Sequence, residues 1–234
     1  MSAGCFTFGQ TTQPKFLWGA CEAAAKRVGI SRVNLDQRDW AGGPEGRADR
    51  VYSNKVLIAR DFVQSHINHV THFLFLDGTD VVLVAGWDEI LSKYQAMLDL
   101  NPAAPVIFSA EKHLAFCPVK IEDYRRPAGS DRCEAQYLNA GFFIASSQAM
   151  LRMLMMAADG DLSRGDQHVF HALFCADTAG IQLDYGGALC QTATSGTFVV
   201  EHGRVRNTDT GELPCAFHFP GRSGDFSLLP HILP

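Results

Sequence analysis

THFLFLDGTDVVLVA, residues 71–85, joins two apolar runs through a turn that carries two acids. Phe73, Leu74, Phe75 and Leu76 follow one another without a polar break, which predicts a strand buried on both faces of a sheet. The run stops at Asp77; after Gly78 and Thr79 comes Asp80, and then Val81 to Val84. Carboxylates at the end of a buried strand are costly unless a positive charge sits beside them. A divalent metal is the usual partner, because it takes hard oxygen ligands and keeps positions for water and phosphate. The turn is therefore expected to hold a metal that grips a nucleotide diphosphate.

On the N-terminal side of this turn, Cys5 to Phe8 reads as a strand and Lys15 to Val28 as a helix stopped by Gly29. Arg32 to Leu35 reads as a second strand. Such a β–α–β opening predicts a parallel sheet with helices on its faces. The Gly- and Pro-rich residues 39–50 predict a loop, and Ser53 then caps a helix to Ile67. On the C-terminal side the pattern predicts a helix from Trp87 to Leu98 and a strand from Pro105 to Ser109, leading to Glu111. Glu122 to Glu134 is expected on the surface. A strand from Tyr137 to Ala145 contains Asn139 and Gly141, and helices follow at Gln148 to Ala158 and His168 to Cys175. Asp166 stands at the start of the second of these. Short strands at Ile181 to Asp184 and Leu189 to Gln191, a hairpin turning at His202-Gly203, and a strand from Cys215 to His218 complete the reading. No repeat or composition shift marks a linker, so one α/β domain over residues 1–234 is expected, with a mixed, mostly parallel sheet.

Composition narrows the function. A hydrophobic fraction of 47% and a charged fraction of 19% suit a globular domain, and a net charge of −5 offers nucleic acid no attraction. No apolar run reaches the roughly 18 residues of a spanning helix, and the first residues lack a secretory pattern, so a cytoplasmic location is expected. The seven cysteines include no C-x-x-C pair and are expected to be free thiols.

Chemistry-bearing residues collect at strand ends: Asp77, Asp80, Glu111, Asn139, Asp184 and His218. In open α/β sheets these ends form the ligand crevice. A strand followed by DGT also occurs in phosphatases that form a phosphoaspartate, but the nucleophile's position holds Phe75 here, which excludes that chemistry. A nucleotidyltransferase acting on sugar phosphates usually carries a Gly-rich loop after the first strand; FGQTTQPK lacks it, which leaves that reading as the less favoured alternative.

The order FLDGTDVVLVAGWDEIL, VIFSAE, YLNAGFFIA, GDQHVF, IQLDY and AFHFPG resembles the glycosyltransferase domain of the procollagen lysyl hydroxylases. That resemblance implies a GT-A (Rossmann-like) fold and transfer of a hexose, glucose or galactose, from a UDP-sugar to a protein or glycan hydroxyl. It implies Mn²⁺ held by Asp77, Asp80 and His218. Thr7 falls where the family contacts uridine and Lys55 where it neutralises diphosphate. Gly78 and Thr79 lie against the nucleotide within the DGTD turn, and Glu111 and Gly221 stand in the matching SAE and FPG segments. Asn139 and Asp166 match positions around the sugar and acceptor, Asp166 being the candidate base. Asp184 and Gln191 fall in the family's LD…Q segment. The chain departs from the family in four places: Gly78-Thr79 replace an aromatic between the two acids, Phe116 stands near a tryptophan's place, the acidic run before Asp166 is shortened, and Phe-Pro-Gly follows His218 where the family has Gly-Asn-Gly. A sugar-nucleotide-binding module of weak or no activity is the alternative these departures leave open.

Overall fold

The computed structural model describes residues 2–8, 17–35, 48–126, 133–194, 196–220 and 225–233, with residues 48–54 as backbone. The apolar run of the DGTD stretch forms β3 (His72–Asp77), and its residues 73–76 are all buried. β1 (Ala3–Phe8) lies parallel to β3 with Phe8 beside Asp77, and β2 (Arg32–Asn34) lies parallel to β1. β6 (Tyr137–Ser146) flanks β3 on its other side, antiparallel, and continues to β5 (Val106–Glu111). Beyond β5 lie β7 (Ile181–Asp184) and β8 (Cys190–Thr192), both parallel to it. β11 (Ala216–His218) is parallel to β8 and antiparallel to β4 (Val81–Leu83), which closes the order β2-β1-β3-β6-β5-β8-β11-β4. The result is the mixed, mostly parallel sheet expected from the sequence, nine-stranded among the described residues. β9 (Phe198–Glu201) and β10 (Arg204–Asn207) form the expected separate hairpin, turning at His202 and Gly203 with φ of 50° and 76°.

Helices cover both faces. On one lie α2 (Ala48–His66), α4 (Ser147–Ala158) and α5 (Asp166–Cys175), whose Val56, Val63, Met153, Leu154 and Phe170 share a core with Phe75 and Phe143. On the other lie α1 (Trp18–Arg27) and α3 (Trp87–Leu100), with Ala25, Ile90 and Tyr94 packed against Leu74 and Leu76. A short helix, α6 (Leu229–Ile232), packs Ile232 into a third cluster with Phe217 and Val205. Across the first face runs a row of rings. Phe75 stacks on Phe143 at 4.5 Å, Phe143 on Phe108 at 4.6 Å, and Phe170 meets Phe108 at 5.1 Å. Each such ring removes 150 Å² or more of surface from water, worth roughly 1.5–3 kcal/mol before entropy. This row is the floor under the site.

Two expectations are corrected. α2 begins at Ala48, so Ser53 lies within the helix and does not cap it, and the last residues of the expected loop are helical. After the Gly-Pro-Glu-Gly segment, Ala48 is the strongest helix former and Asp49 suits a positive helix N-terminus, which explains the earlier start. The segment from Glu122 is not wholly superficial: Tyr124 is buried, and its hydroxyl accepts from the Leu138 N–H at 2.9 Å. Asp166 is the first residue of α5, at the helix start where the sequence placed it. No disulfide joins any of the seven cysteines.

Tyr124 also meets His171, which is fully buried on α5. Its Nε2 lies 3.1 Å from the Ala115 carbonyl, so Nε2 carries the proton and Nδ1 accepts from the Tyr124 hydroxyl. Burial lowers the imidazole pKa to about 4, against the pull of the Ala115 hydrogen bond. A base whose folded pKa is depressed stabilises the fold fully above its unfolded value near 6.5 and loses that contribution as pH falls towards 4. The loss amounts to about 3 kcal/mol at most. Thermal melts from pH 7 to pH 4 are expected to fall steeply for the wild type and less steeply for His171→Gln; parallel slopes would exclude His171 as the acid-sensitive group.

Candidate active site

Four hydrogen bonds fix the turn between β3 and β4. The Gly78 N–H donates to the Phe8 carbonyl at 2.8 Å, and the Arg32 guanidinium donates to the Gly78 carbonyl at 3.3 Å. The Thr79 carbonyl accepts from Leu17 N–H and the Asp80 carbonyl from Phe219 N–H. Glycine at 78 is a packing requirement. A Cβ there would lie 2.5 Å from Cζ3 of Trp18 and 2.6 Å from Oγ1 of Thr7. The turn is thus held rigid against β1, α1 and the end of β11.

β11 delivers His218. Its register places His218 opposite Val81, one residue past Asp80, which explains how residues so distant in sequence meet. Ligand atoms of Asp77, Asp80 and His218 all lie within 4.8 Å of one another. His218 Nε2 is 3.5 Å from Asp80 Oδ1. Asp80 Oδ1 and His218 Nδ1 are both buried and unsatisfied by hydrogen bonds, as is Thr7 Oγ1. Such atoms are rare in native proteins and each costs on the order of 1–3 kcal/mol. Burial pulls the His218 pKa down, yet Asp80, Asp77 and Glu111 outweigh it and hold the imidazole above its ordinary value. The field favours a positive charge at this point. Two carboxylates and an imidazole are an oxygen–nitrogen donor set that suits Mn²⁺ and its neighbours, so these residues fit a divalent cation.

The Gly141 backbone lies directly under the His218 ring. A Cβ at this glycine would meet Cε1 of His218 at 2.3 Å and both ring nitrogens at 2.8 Å. The approach is made by an irregularity in β6: Phe108 pairs with Phe143 while the next residue, Ser109, pairs with Asn139. Residues between them leave the β5 ladder. Their amides find other partners, the Gly141 N–H on Asn139 Oδ1 at 2.8 Å and the Ala140 N–H on Gln167 Oε1 at 3.3 Å. Gln167 Nε2 in turn donates to Glu111 Oε1 at 3.0 Å and to the Ala115 carbonyl at 3.2 Å. Glu111 is buried, and burial pushes its carboxyl up to about 7 against the pull of His218, Asn139 and Gln167.

Lys55 of α2 crosses the floor of rings to reach the acids. Its Nζ is 2.9 Å from Asp77 Oδ1 and 3.7 Å from Asp166 Oδ2. Val56, Phe75, Phe143, Leu154 and Phe170 line a small cavity together with Lys55 and Asp166. Burial raises the Asp77 pKa, Lys55 opposes the rise, and the Asp80 and Asp166 carboxylates add to it.

The structure brings Lys55, Asp77, Gly78, Thr79, Asp80, Glu111, Asn139, Asp166 and His218 into one neighbourhood, with Thr7 beneath Gly78. Gly221 lies outside the described residues. Asp184 and Gln191 serve the fold. Asp184 accepts the N–H groups of Ala188, Leu189 and Cys190, and Gln191 Oε1 accepts from Asn207 at 2.7 Å. Phe116 is 71% exposed with φ of 55°, and its carbonyl bonds His168 of α5. Two contributors went unassigned in sequence, Gln167 and Gly141. A glycine inside a strand signals a bulge or a close approach, and that signal was available for Gly141.

The family model for the PLOD GT domain matches residues 25–223. The procollagen-lysine,2-oxoglutarate 5-dioxygenase 1 of Mus musculus is 27% identical over 198 residues, which is 78% of this chain. The chain spans only 25% of that protein's length. A solved glycosyltransferase involved in glycosylation of the major capsid of PBCV-1 superposes with a TM-score of 0.53 over 95% of both chains, at 11% identity. That last likeness is one of fold.

Proposed function

Because the chain belongs to the PLOD GT domain family and has a glycosyltransferase fold, we propose that it transfers a hexose from a UDP-sugar to a protein or glycan hydroxyl, with Mn²⁺ as cofactor. The observation that carries this reading is the Asp77, Asp80 and His218 cluster, with two unsatisfied buried atoms, at the end of a strand beside Lys55. These three side chains would hold the metal, which supplies Lewis-acid neutralisation of the departing diphosphate. Lys55 adds a point charge to the same phosphates. Thr7, with its unsatisfied hydroxyl at the end of β1, faces the base, and the rigid Gly78-Thr79 backbone lines the nucleotide. Asn139 presents the β6 bulge to the sugar, and Glu111 sits below it, tied by Gln167. Asp166 orients the acceptor hydroxyl and takes its proton; in the ligand-free structure Lys55 lies 3.7 Å from it. Residues 1–234 act as one catalytic domain. No helix among the described residues is long and apolar enough to cross a membrane.

The test is turnover. Incubation with UDP-glucose or UDP-galactose and Mn²⁺ is expected to release UDP, and EDTA is expected to stop it. Binding of UDP without release on any acceptor would favour the inactive binding module. Neither release nor calorimetric binding of UDP would sink both.

A further inference from the structure

Lys55 occupies an unusual place for a phosphate-binding lysine. Its ammonium is already hydrogen-bonded at 2.9 Å to Asp77, a carboxylate of the candidate metal cluster, and is in ion-pair range of Asp166. Only 12% of its side chain is exposed, and it lines a small cavity together with Phe75, Phe143 and Phe170. A divalent cation entering at Asp77 would therefore meet a fixed positive charge within one hydrogen bond of its ligand. In a partly buried site that repulsion is large. A diphosphate entering beside the metal reverses the balance, because it offers Lys55 a new acceptor and releases Asp77.

We propose that Lys55 couples the two ligands: by contesting Asp77, it weakens metal binding until a nucleotide diphosphate arrives and draws the ammonium away. The metal and the nucleotide then bind with positive cooperativity, and by linkage each strengthens the other by the same factor. Because Lys55 also faces Asp166, the same displacement frees the candidate base once the donor is loaded. A site of this kind stays largely metal-free without its donor. This inference rests on the proposed nucleotide and metal site.

Lys55→Met removes the charge and keeps an unbranched side chain of similar length. Mn²⁺ binding is followed by the paramagnetic resonance of the free ion at pH 8, with and without UDP, and a thermal melt confirms folding. The variant is expected to bind Mn²⁺ alone at least about tenfold tighter than the wild type, and UDP is expected to raise its Mn²⁺ affinity far less. Lys55→Arg, which keeps the charge, is expected to retain weak binding of Mn²⁺ alone. Should the methionine variant not fold, Lys55→Gln serves the same measurement. Equal or weaker Mn²⁺ binding by a folded, uncharged variant overturns the coupling while leaving the metal site standing. A wild type that binds neither Mn²⁺ nor UDP overturns the site and the coupling together.

Discussion

Asp80→Asn is expected to lower sugar transfer at least about a hundredfold while leaving the melting temperature unchanged or raised. The carboxylate does nothing for the fold that an amide would not do. The structural hydrogen bond of residue 80 is made by its backbone carbonyl to Phe219, and Oδ1 is buried with no hydrogen bond, His218 Nε2 lying 3.5 Å away. Removing its charge relieves the repulsion that raises the Asp77 pKa. What is lost is one of three ligands and the field that favours a cation beside His218. Groups that stabilise charge in the transition state are each worth on the order of 10²–10³ in rate. Steady-state UDP release and a thermal melt on the same preparation check both halves. An enzyme that is slow because it is unfolded would contradict this account as surely as one that keeps its rate.

Gly141→Ala is expected to disable the site through His218 alone. The added methyl would lie 2.3 Å from the imidazole, so either the ring leaves its position or β6 shifts by more than an ångström. Overpacking of this kind costs roughly 1–3 kcal/mol of stability. The effect on Mn²⁺ and UDP affinity is expected to exceed tenfold, since displacing a ligand does more than losing a supporting hydrogen bond. A double-mutant cycle identifies the route. If the alanine acts through the ring, it costs little further affinity once His218→Ala is in place. Full additivity of the two changes would mean that the glycine serves something else.

The fold was largely legible in the chain, and the reason is visible in particular elements. Phe73 to Leu76 has no polar residue, and a strand with that pattern has to lie inside a sheet covered on both faces; β3 does. His202-Gly203 could only be a tight turn, and both residues take the positive φ that such a turn needs. The start of α2 was misplaced because a polar stretch without Gly or Pro, Ala48-Asp49-Arg50, forms a helix as readily as a loop. Tyr124 was assigned to the surface because its neighbours are charged; its burial depends on Leu138 and His171, which no local pattern reveals.

The site divides in the same way. Two acids across a turn are a local signal, and their strand end was readable at once. The third ligand came only through a family likeness, because His218 reaches Asp80 through the β11–β4 pairing, 138 residues away in the chain. The link between Gln167, the β6 bulge and Glu111 depends on a break in strand register, which side-chain pattern does not record. Nor does sequence tell that Lys55 lies on Asp77 itself.

The central claim is that Asp77, Asp80 and His218 hold a divalent cation against a nucleotide diphosphate. A crystal grown with Mn²⁺ and UDP, with diffraction recorded at the manganese absorption edge, tests it directly. The account predicts one anomalous peak within about 2.0–2.4 Å of an oxygen of each acid and a nitrogen of His218, with diphosphate oxygens completing the shell and Lys55 turned from Asp77 to the phosphate. Bound UDP with no anomalous peak among these three side chains, or a peak elsewhere in the molecule, would contradict it.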